Sequence, residues 1–429
     1  MDKAILIEQL NAETKDKRLQ AVAGLKKLID KGEITVPCKT VYTNNHVHTK
    51  YSFSPYSPAK AVWMAVMAGL STVGIMDHDA INGAEEFIEA GEILGIATTI
   101  GFEIRSDWDE TVLAGKRINN PDQVSSAYIC AHGVPHTQIA KADAFLSKIR
   151  AARGQRNRKM VDKINALVSG LGITLSYDND VLPLTYAHDG GGVTERHLLF
   201  ALTLKMIGKY GKGEKLVEVL SSLGITPGQK PLEFLSDAQN DMYEYDLLNV
   251  LKSSFIKDIY IDTNTDEAVP ISDAVNFIRS IGAIPSYCYL GDVGESPTGD
   301  KKAQKFEDDY LTDVLDTVKG IGFPAIAYMP SRNTLPQLRR IMTMADEYGF
   351  MQISGEDINQ PRQSFICEQL SDPIFAHLTD TTWALVGHEI SATQDINNGI
   401  FADEKKLREE GLSRLISVFK QIGLSGTGT

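Results

Sequence analysis

The feature that most constrains this chain is an alternation. Short apolar runs at residues 41–43, 72–76, 97–100, 127–131, 283–289, 325–329 and 349–353 are interspersed with helical periodicity at 58–69, 82–94, 271–281, 307–319 and 334–348. Strands that alternate with helices pair in parallel, in an open sheet or a barrel. The rhythm breaks between about 136 and 264, where 137–150, 156–169, 194–208, 213–223 and 231–251 are each long enough to be helices. We read 41–135 and 265–365 as one βα unit and 136–264 as a mainly helical insertion whose two ends lie close together. Residues 1–40 and 366–429 are helical extensions.

Composition narrows the function. Of 429 residues, 43% are apolar and 23% charged, enough for a sizeable globular core. The formal charge of −13 repels phosphate backbones and anionic lipid, which argues against a general nucleic-acid or membrane-surface binder. The uncharged stretch 61–76 is 16 residues long and contains Gly69, Ser71, Thr72 and Gly74, short of a spanning helix. The start, Met1-Asp2-Lys3-Ala4, lacks the layout of a signal peptide. Cys38, Cys130, Cys288 and Cys367 are scattered without a CxxC, so we expect a cytoplasmic protein whose thiols are reduced, small core residues.

Chemistry gathers where the apolar runs end. His46-Val47-His48 closes the first; the two-residue period of a strand turns both imidazoles to one face, where they can chelate a metal. Asp77-His78-Asp79 follows the second run, Gly101-Phe102-Glu103 the third, and His132 the fourth. In βα barrels the carboxyl ends of successive strands converge on one mouth, so four such ends supplying His, His, Glu and His point to a metal site. A solvated loop residue or helix cap is the plainer reading of each, and Asp79 is placed to cap a helix starting near Asn82. Asp357, in Ser354-Gly355-Glu356-Asp357, can add a hard oxygen. Mixed imidazole and carboxylate ligands suit zinc, manganese or iron better than calcium or magnesium.

The stretches His46-Val47-His48-Thr49, Asp77-His78-Asp79-Ala80-Ile81-Asn82-Gly83 and Gly101-Phe102-Glu103-Ile104 resemble the opening motifs of the PHP (polymerase and histidinol phosphatase) superfamily of metal-dependent phosphoesterases. Arg156 and Met160, His197-Leu198-Leu199-Phe200-Ala201-Leu202 and Gly355-Glu356-Asp357 resemble later motifs of its small-phosphoester phosphatase branch. The similarity spans roughly 42–362. It implies a distorted seven-stranded βα barrel with up to three metals at its mouth. His46, His48, Glu103 and Asp357 would hold one; Glu103 would bridge to a second that His132 also holds; His78 would serve a third. Three positions depart from the family pattern. A family Asp falls on Phe53, a His on or near Tyr289, and another His on Asn359, which leaves one or two ions expected.

The resemblance also implies catalytic roles near the phosphate for His197 and Arg196, and substrate binding by Arg156, Arg332 and Arg362, although a family Arg is replaced by Glu195. Guanidinium groups suit bidentate phosphate binding, and Arg153, Arg158 and Lys159 extend the basic cluster. His136, His188, His377 and His388 carry no assigned role. The function implied is hydrolysis of a small phosphomonoester, a nucleotide or sugar phosphate, under a helical lid. The alternative is a PHP-like metal- or phosphate-binding protein with impaired catalysis. An amidohydrolase, which also opens with His-x-His, fits the Asp-His-Asp and Gly-Phe-Glu motifs less well.

Overall fold

The computed structural model describes residues 2–293 and 304–426. The chain opens with α1 (Lys3–Gln9) and α2 (Lys15–Asp30), whose first turns are capped by the side chains of Asp2 and Thr14. Leu6, Leu10, Ala21, Val22 and Leu25 carry these helices into the main core. Arg18 is buried there, its Nε 2.8 Å from Glu86 Oε1.

Eight strands follow: β1 (Thr43–Val47), β2 (Thr72–His78), β3 (Ala97–Asp107), β4 (Ser126–His132), β5 (Val269–Pro270), β6 (Ile284–Cys288), β7 (Ala325–Tyr328) and β8 (Met351–Ser354). Their order across the sheet is β1-β2-β3-β4-β6-β7-β8, with the two-residue β5 beside the end of β3. Beyond β8 the chain returns to β1: His48 N donates to Ile358 O (2.9 Å) and Ile358 N to His46 O (3.1 Å), so the seven strands nearly close a barrel. β4 departs from the parallel pattern, running antiparallel to both β3 and β6. No helix intervenes between β3 and β4, and without a crossover element a strand can only turn back beside its predecessor.

The helices α3 (Pro58–Met67) and α4 (Ala84–Leu94) flank the first strands. Ser57 caps α3 by accepting from Lys60 N (3.0 Å), with Pro58 preset for the first turn. After β4 come α5 (Ile139–Leu167), α6 (Glu195–Tyr210), α7 (Glu214–Ser222), α8 (Gln229–Ser236) and α9 (Tyr243–Ile259). The 29-residue α5 serves two cores: Ala142, Leu146 and Ile149 pack on the barrel, while Met160, Val161 and Ile164 join Leu198, Leu202, Leu247 and Leu251 in a separate helical core. The barrel resumes with α10 (Ile271–Ser280), α11 (Leu311–Ile321) and α12 (Leu335–Tyr348), and α13 (Ala376–Gln394), α14 (Glu404–Glu410) and α15 (Leu412–Gly426) end the chain.

The last helices plug the barrel. Register pairs Glu103 with Cys130, Cys130 with Ser286, Ser286 with Ala325 and Ala325 with Met351, so these residues share the inner face. Against that face, Ile284, Ala325, Met351 and Ile353 pack with Ala384 and Leu385 of α13 and with Leu415 and Phe419 of α15, whereas Tyr287 and Ile326 point outward into the main core. Polar latches fix the plug: Asn45 Nδ2 donates to Thr382 Oγ1 (2.8 Å) and Ile100 N to Glu389 Oε2 (2.8 Å). Among the described residues, no helix is long and apolar enough to cross a membrane.

Candidate metal centre

Because β1, β2 and β3 run parallel, their carboxyl ends bring His46, His48, His78 and Glu103 together, and the backbone pairing beyond β8 adds Asp357. His48 Nε2 lies 3.1 Å from Asp357 Oδ1, and His78 Nδ1 lies 2.9 Å from Glu103 Oε2. Neither contact has hydrogen-bonding geometry, and both nitrogens are buried without a hydrogen-bond partner. Ligand atoms that crowd together yet do not aim at one another fit a shared cation, and this is the test the site passes.

The far side of His48 is held as a ligand requires. Ser52 Oγ donates to Asp77 Oδ1 (2.6 Å), which leaves it to accept from His48 Nδ1–H (3.2 Å). That tautomer presents an Nε2 lone pair to the cluster. Thr49 N and Oγ1 also donate to Asp77, each at 2.6 Å, so Asp77 organises the loop and is not itself a ligand. His78 stacks on His48 with ring centroids 4.7 Å apart. Burial alone would raise the Glu103 carboxyl, but His78 and His46 reverse this and hold it well below its ordinary range. Burial opposes a charge on His46, yet Glu103 and Asp357 outweigh it and push the imidazole up to about 9.

The antiparallel course of β4 changes the fourth position. Its carboxyl end points away from the mouth, so Cys130, not His132, stands opposite Glu103. His132 lies two residues further along the same inner face and joins none of the ligand groups found among the described residues; its Nε2 is buried and unpartnered. Burial and the nearby His46 drive it down to about 3. The Cys130 sulfur is 3.2 Å from Cys288 Sγ and 4.0 Å from His46 Nδ1. Both cysteines, expected as plain core residues, thus face the cluster. Tyr289 does not: its hydroxyl donates to Asp308 Oδ1 (2.6 Å). The signal available in the sequence was the Gly133 turn and the helix-free stretch before β4; the pairing of Cys130 with Cys288, 158 residues apart, left none.

The other departures are equally physical. Phe53 belongs to the helical core, its ring 5.0 Å from that of His197 and 5.6 Å from that of Phe200. Asn359 Nδ2 donates to Asp357 Oδ1 (2.6 Å), and its own Oδ1 is buried and unpartnered. Asp79, with φ +54°, does not cap α4; its carboxylate pairs with Arg153.

The expected phosphate-binding arginines are mostly engaged within the protein. Arg156 donates from Nε to Glu267 Oε2 (2.6 Å) and from Nη2 to Glu195 Oε1 (2.7 Å). Arg105 and Arg153 complete this buried network with the same two glutamates. Arg362 pairs with Asp246 (2.7 Å) and lies 3.8 Å over the Phe234 ring. Arg332 donates to Leu290 O (3.2 Å). His197 is buried at the start of α6, where Thr194 N donates to its Nδ1 (3.0 Å), and burial with the charge of Arg153 lowers it to about 3. Arg196 lies 6.0 Å over the Phe53 ring. Together with Lys252 of α9 it lines a pocket that also includes His48, His78, Tyr128 and Asn359, so the helical unit extends cations over the ligand cluster.

Residues 44–211 match the PHP domain family model. Among curated proteins, an error-prone DNA polymerase of Nocardia farcinica is 39% identical over 72 residues, 16% of this chain and 6% of the polymerase. Its counterpart in Cutibacterium acnes is 38% identical over 65 residues, 15% and 6% respectively. The chain thus spans a small fraction of those relatives. A Bifidobacterium adolescentis structure assigned as a metal-dependent phosphoesterase superposes with a TM-score of 0.50 and 18% identity, covering 80% of this chain and 98% of that one. An amidohydrolase from Chromobacterium violaceum, with bound sulfate and no metal, gives 0.49 and 18%, covering 75% and 89%. Residues 44–211, which supply the first four strands of the barrel, are thus similar to the PHP domain.

Proposed function

We propose that the protein is a metal-dependent phosphoesterase acting on a small phosphomonoester, of the nucleotide or sugar phosphate class. The observation that carries this reading is the cluster of His46, His48, His78, Glu103 and Asp357, whose nitrogens and oxygens converge without hydrogen-bonding one another, beneath a pocket that Arg196 and Lys252 line. His46, His48, Glu103 and Asp357 would hold a divalent metal, which would supply Lewis-acid polarisation of a phosphoryl oxygen and activation of water. The chain's own residues do the rest. Ser52 and Asp77 fix the tautomer of His48, Arg196 and Lys252 draw the anion in, and the helices bearing them shield the site from bulk water.

The acidic charge of −13 supports a small substrate over a polymer of phosphates, and the thiol-rich inner wall suits a reducing, cytoplasmic setting. Hydrolysis of an aryl phosphate tests the reading. It is expected with zinc or manganese and should cease with a chelator, and His48→Ala should lower turnover roughly a hundred- to thousandfold. Absence of phosphoester hydrolysis in the metal-loaded wild type, with phosphate still bound, would leave the binding-protein alternative, which Phe53 and Asn359 favour.

A further inference from the structure

Cys130 and Cys288 come from neighbouring strands, β4 and β6, and both side chains point into the barrel beside the carboxylate of Glu103. Their sulfurs are 3.2 Å apart, well beyond the roughly 2.05 Å of a disulfide. A tetrahedral metal with metal–sulfur bonds of about 2.3 Å holds two sulfurs about 3.8 Å apart, so the pair needs to open by only about half an ångström. Glu103 stands directly opposite Cys130 in the strand register, and His46, Glu103 and Cys130 form one of the convergent ligand groups. A second observation points the same way: His132 is buried two residues from Cys130 on this inner face, and its Nε2 has no partner.

We propose that Cys130 and Cys288, with Glu103, form a thiolate metal position next to the one held by His46, His48 and Asp357. Binding of a divalent ion there releases the two thiol protons to solvent and forms two metal–sulfur bonds, with no change in oxidation state. Thiolate ligands select zinc or ferrous iron and discriminate against manganese and magnesium. The centre is therefore chemically unsymmetrical, with one position of nitrogen and oxygen ligands open to several metals and one sulfur-bearing position reserved for softer ions. The inference rests on reading the barrel mouth as a metal centre, and not on the reaction that the centre performs.

The test reads ligation directly. Full-length protein, reduced with a phosphine, is loaded with cobalt(II), and its near-ultraviolet absorption is recorded alongside metal content. A sulfur-to-cobalt charge-transfer band is expected in the wild type and in His48→Ala. Cys130→Ser and Cys288→Ser should lose the band together with about one metal per chain. Zinc-edge X-ray absorption of the wild-type protein needs no variant to fold, and sulfur scatterers at about 2.3 Å are expected. Cobalt or zinc bound only by nitrogen and oxygen overturns the proposal, as does a Cys130–Cys288 disulfide that persists under the reductant. Phosphoester hydrolysis assayed on the same samples is a separate readout, so loss of activity with the band retained counts against the reaction and not against the thiolate position.

Discussion

At the scale of single residues, the arginines divide by where they sit, in a buried ion network or at the pocket. Arg156 is buried and bonded to Glu195 and Glu267, both of which are also buried, so its removal leaves their interior network with Arg105 and Arg153 one positive charge short. Breaking such a pair costs about 3–5 kcal/mol. Arg156→Met should therefore lower the thermal unfolding temperature sharply while leaving KM for an aryl phosphate nearly unchanged in the protein that folds. Arg196, at the pocket, should behave the opposite way. A hydrogen bond to a charged group contributes about 1.5–3 kcal/mol, so Arg196→Met should raise KM roughly ten- to a hundredfold with little effect on stability. A raised KM with unchanged melting for the Arg156 variant would refute this division. Sequence could not make it, because the type of a guanidinium's partner is set by residues such as Glu267, 111 positions away.

At the scale of elements, what the sequence disclosed and what it hid follow from periodicity. The apolar runs located β2, β3, β7 and β8 because each strand is buried along nearly its whole length and stands out as a continuous hydrophobic block. Direction is a different matter. An apolar run reads the same either way along the chain, so the reversal of β4, which sets Cys130 opposite Glu103, was invisible in its own residues. The function of α13 was hidden for a related reason. Its buried residues run almost continuously from Thr381 to Glu389, the mark of a helix enclosed on all sides, but nothing local says that the enclosure is a barrel interior. Its crossing with α15 is close because two glycines meet: a Cβ on Gly387 would lie 1.9 Å from Phe419 O. Gly387→Ala must push the helices apart, and overpacking of this kind costs about 1–3 kcal/mol, occasionally more. Denaturant unfolding should show that loss; a Gly387→Ala protein as stable as the wild type would mean that α13 and α15 do not hold the barrel as described.

At the scale of the whole molecule, two buried imidazoles tie separate regions to one pH response. His388 sits in the plug, bonded through Nε2 to Gly133 O (3.1 Å) and accepting at Nδ1 from Ile400 N (3.1 Å). His197 sits at the start of α6, against the Phe53 ring. Burial lowers His388 to about 4, and burial with the charge of Arg153 lowers His197 to about 3, whereas an unfolded imidazole titrates near 6.5. The unfolded chain therefore binds more protons than the folded one throughout the interval from pH 6.5 to 4. Stability is complete above pH 6.5 and falls as the medium is acidified, by about 3 kcal/mol for His388 alone across that interval. His136 runs counter to this: burial lowers it, Glu389 more than restores it, and its raised pKa contributes stability that is present below pH 6.5 and fades as the pH rises through the folded value. Between pH 6.5 and 4 that contribution is already complete, so it does not alter the slope. The melting temperature should thus drop steeply between pH 6.5 and 4, measured in excess chelator so that release of metal contributes nothing. His388→Asn, which keeps a donor and an acceptor but cannot take up the proton, should lower the melting temperature at pH 7 and flatten the slope below pH 6.5. An unchanged slope in that variant would show that the acid sensitivity of the barrel resides outside its plug.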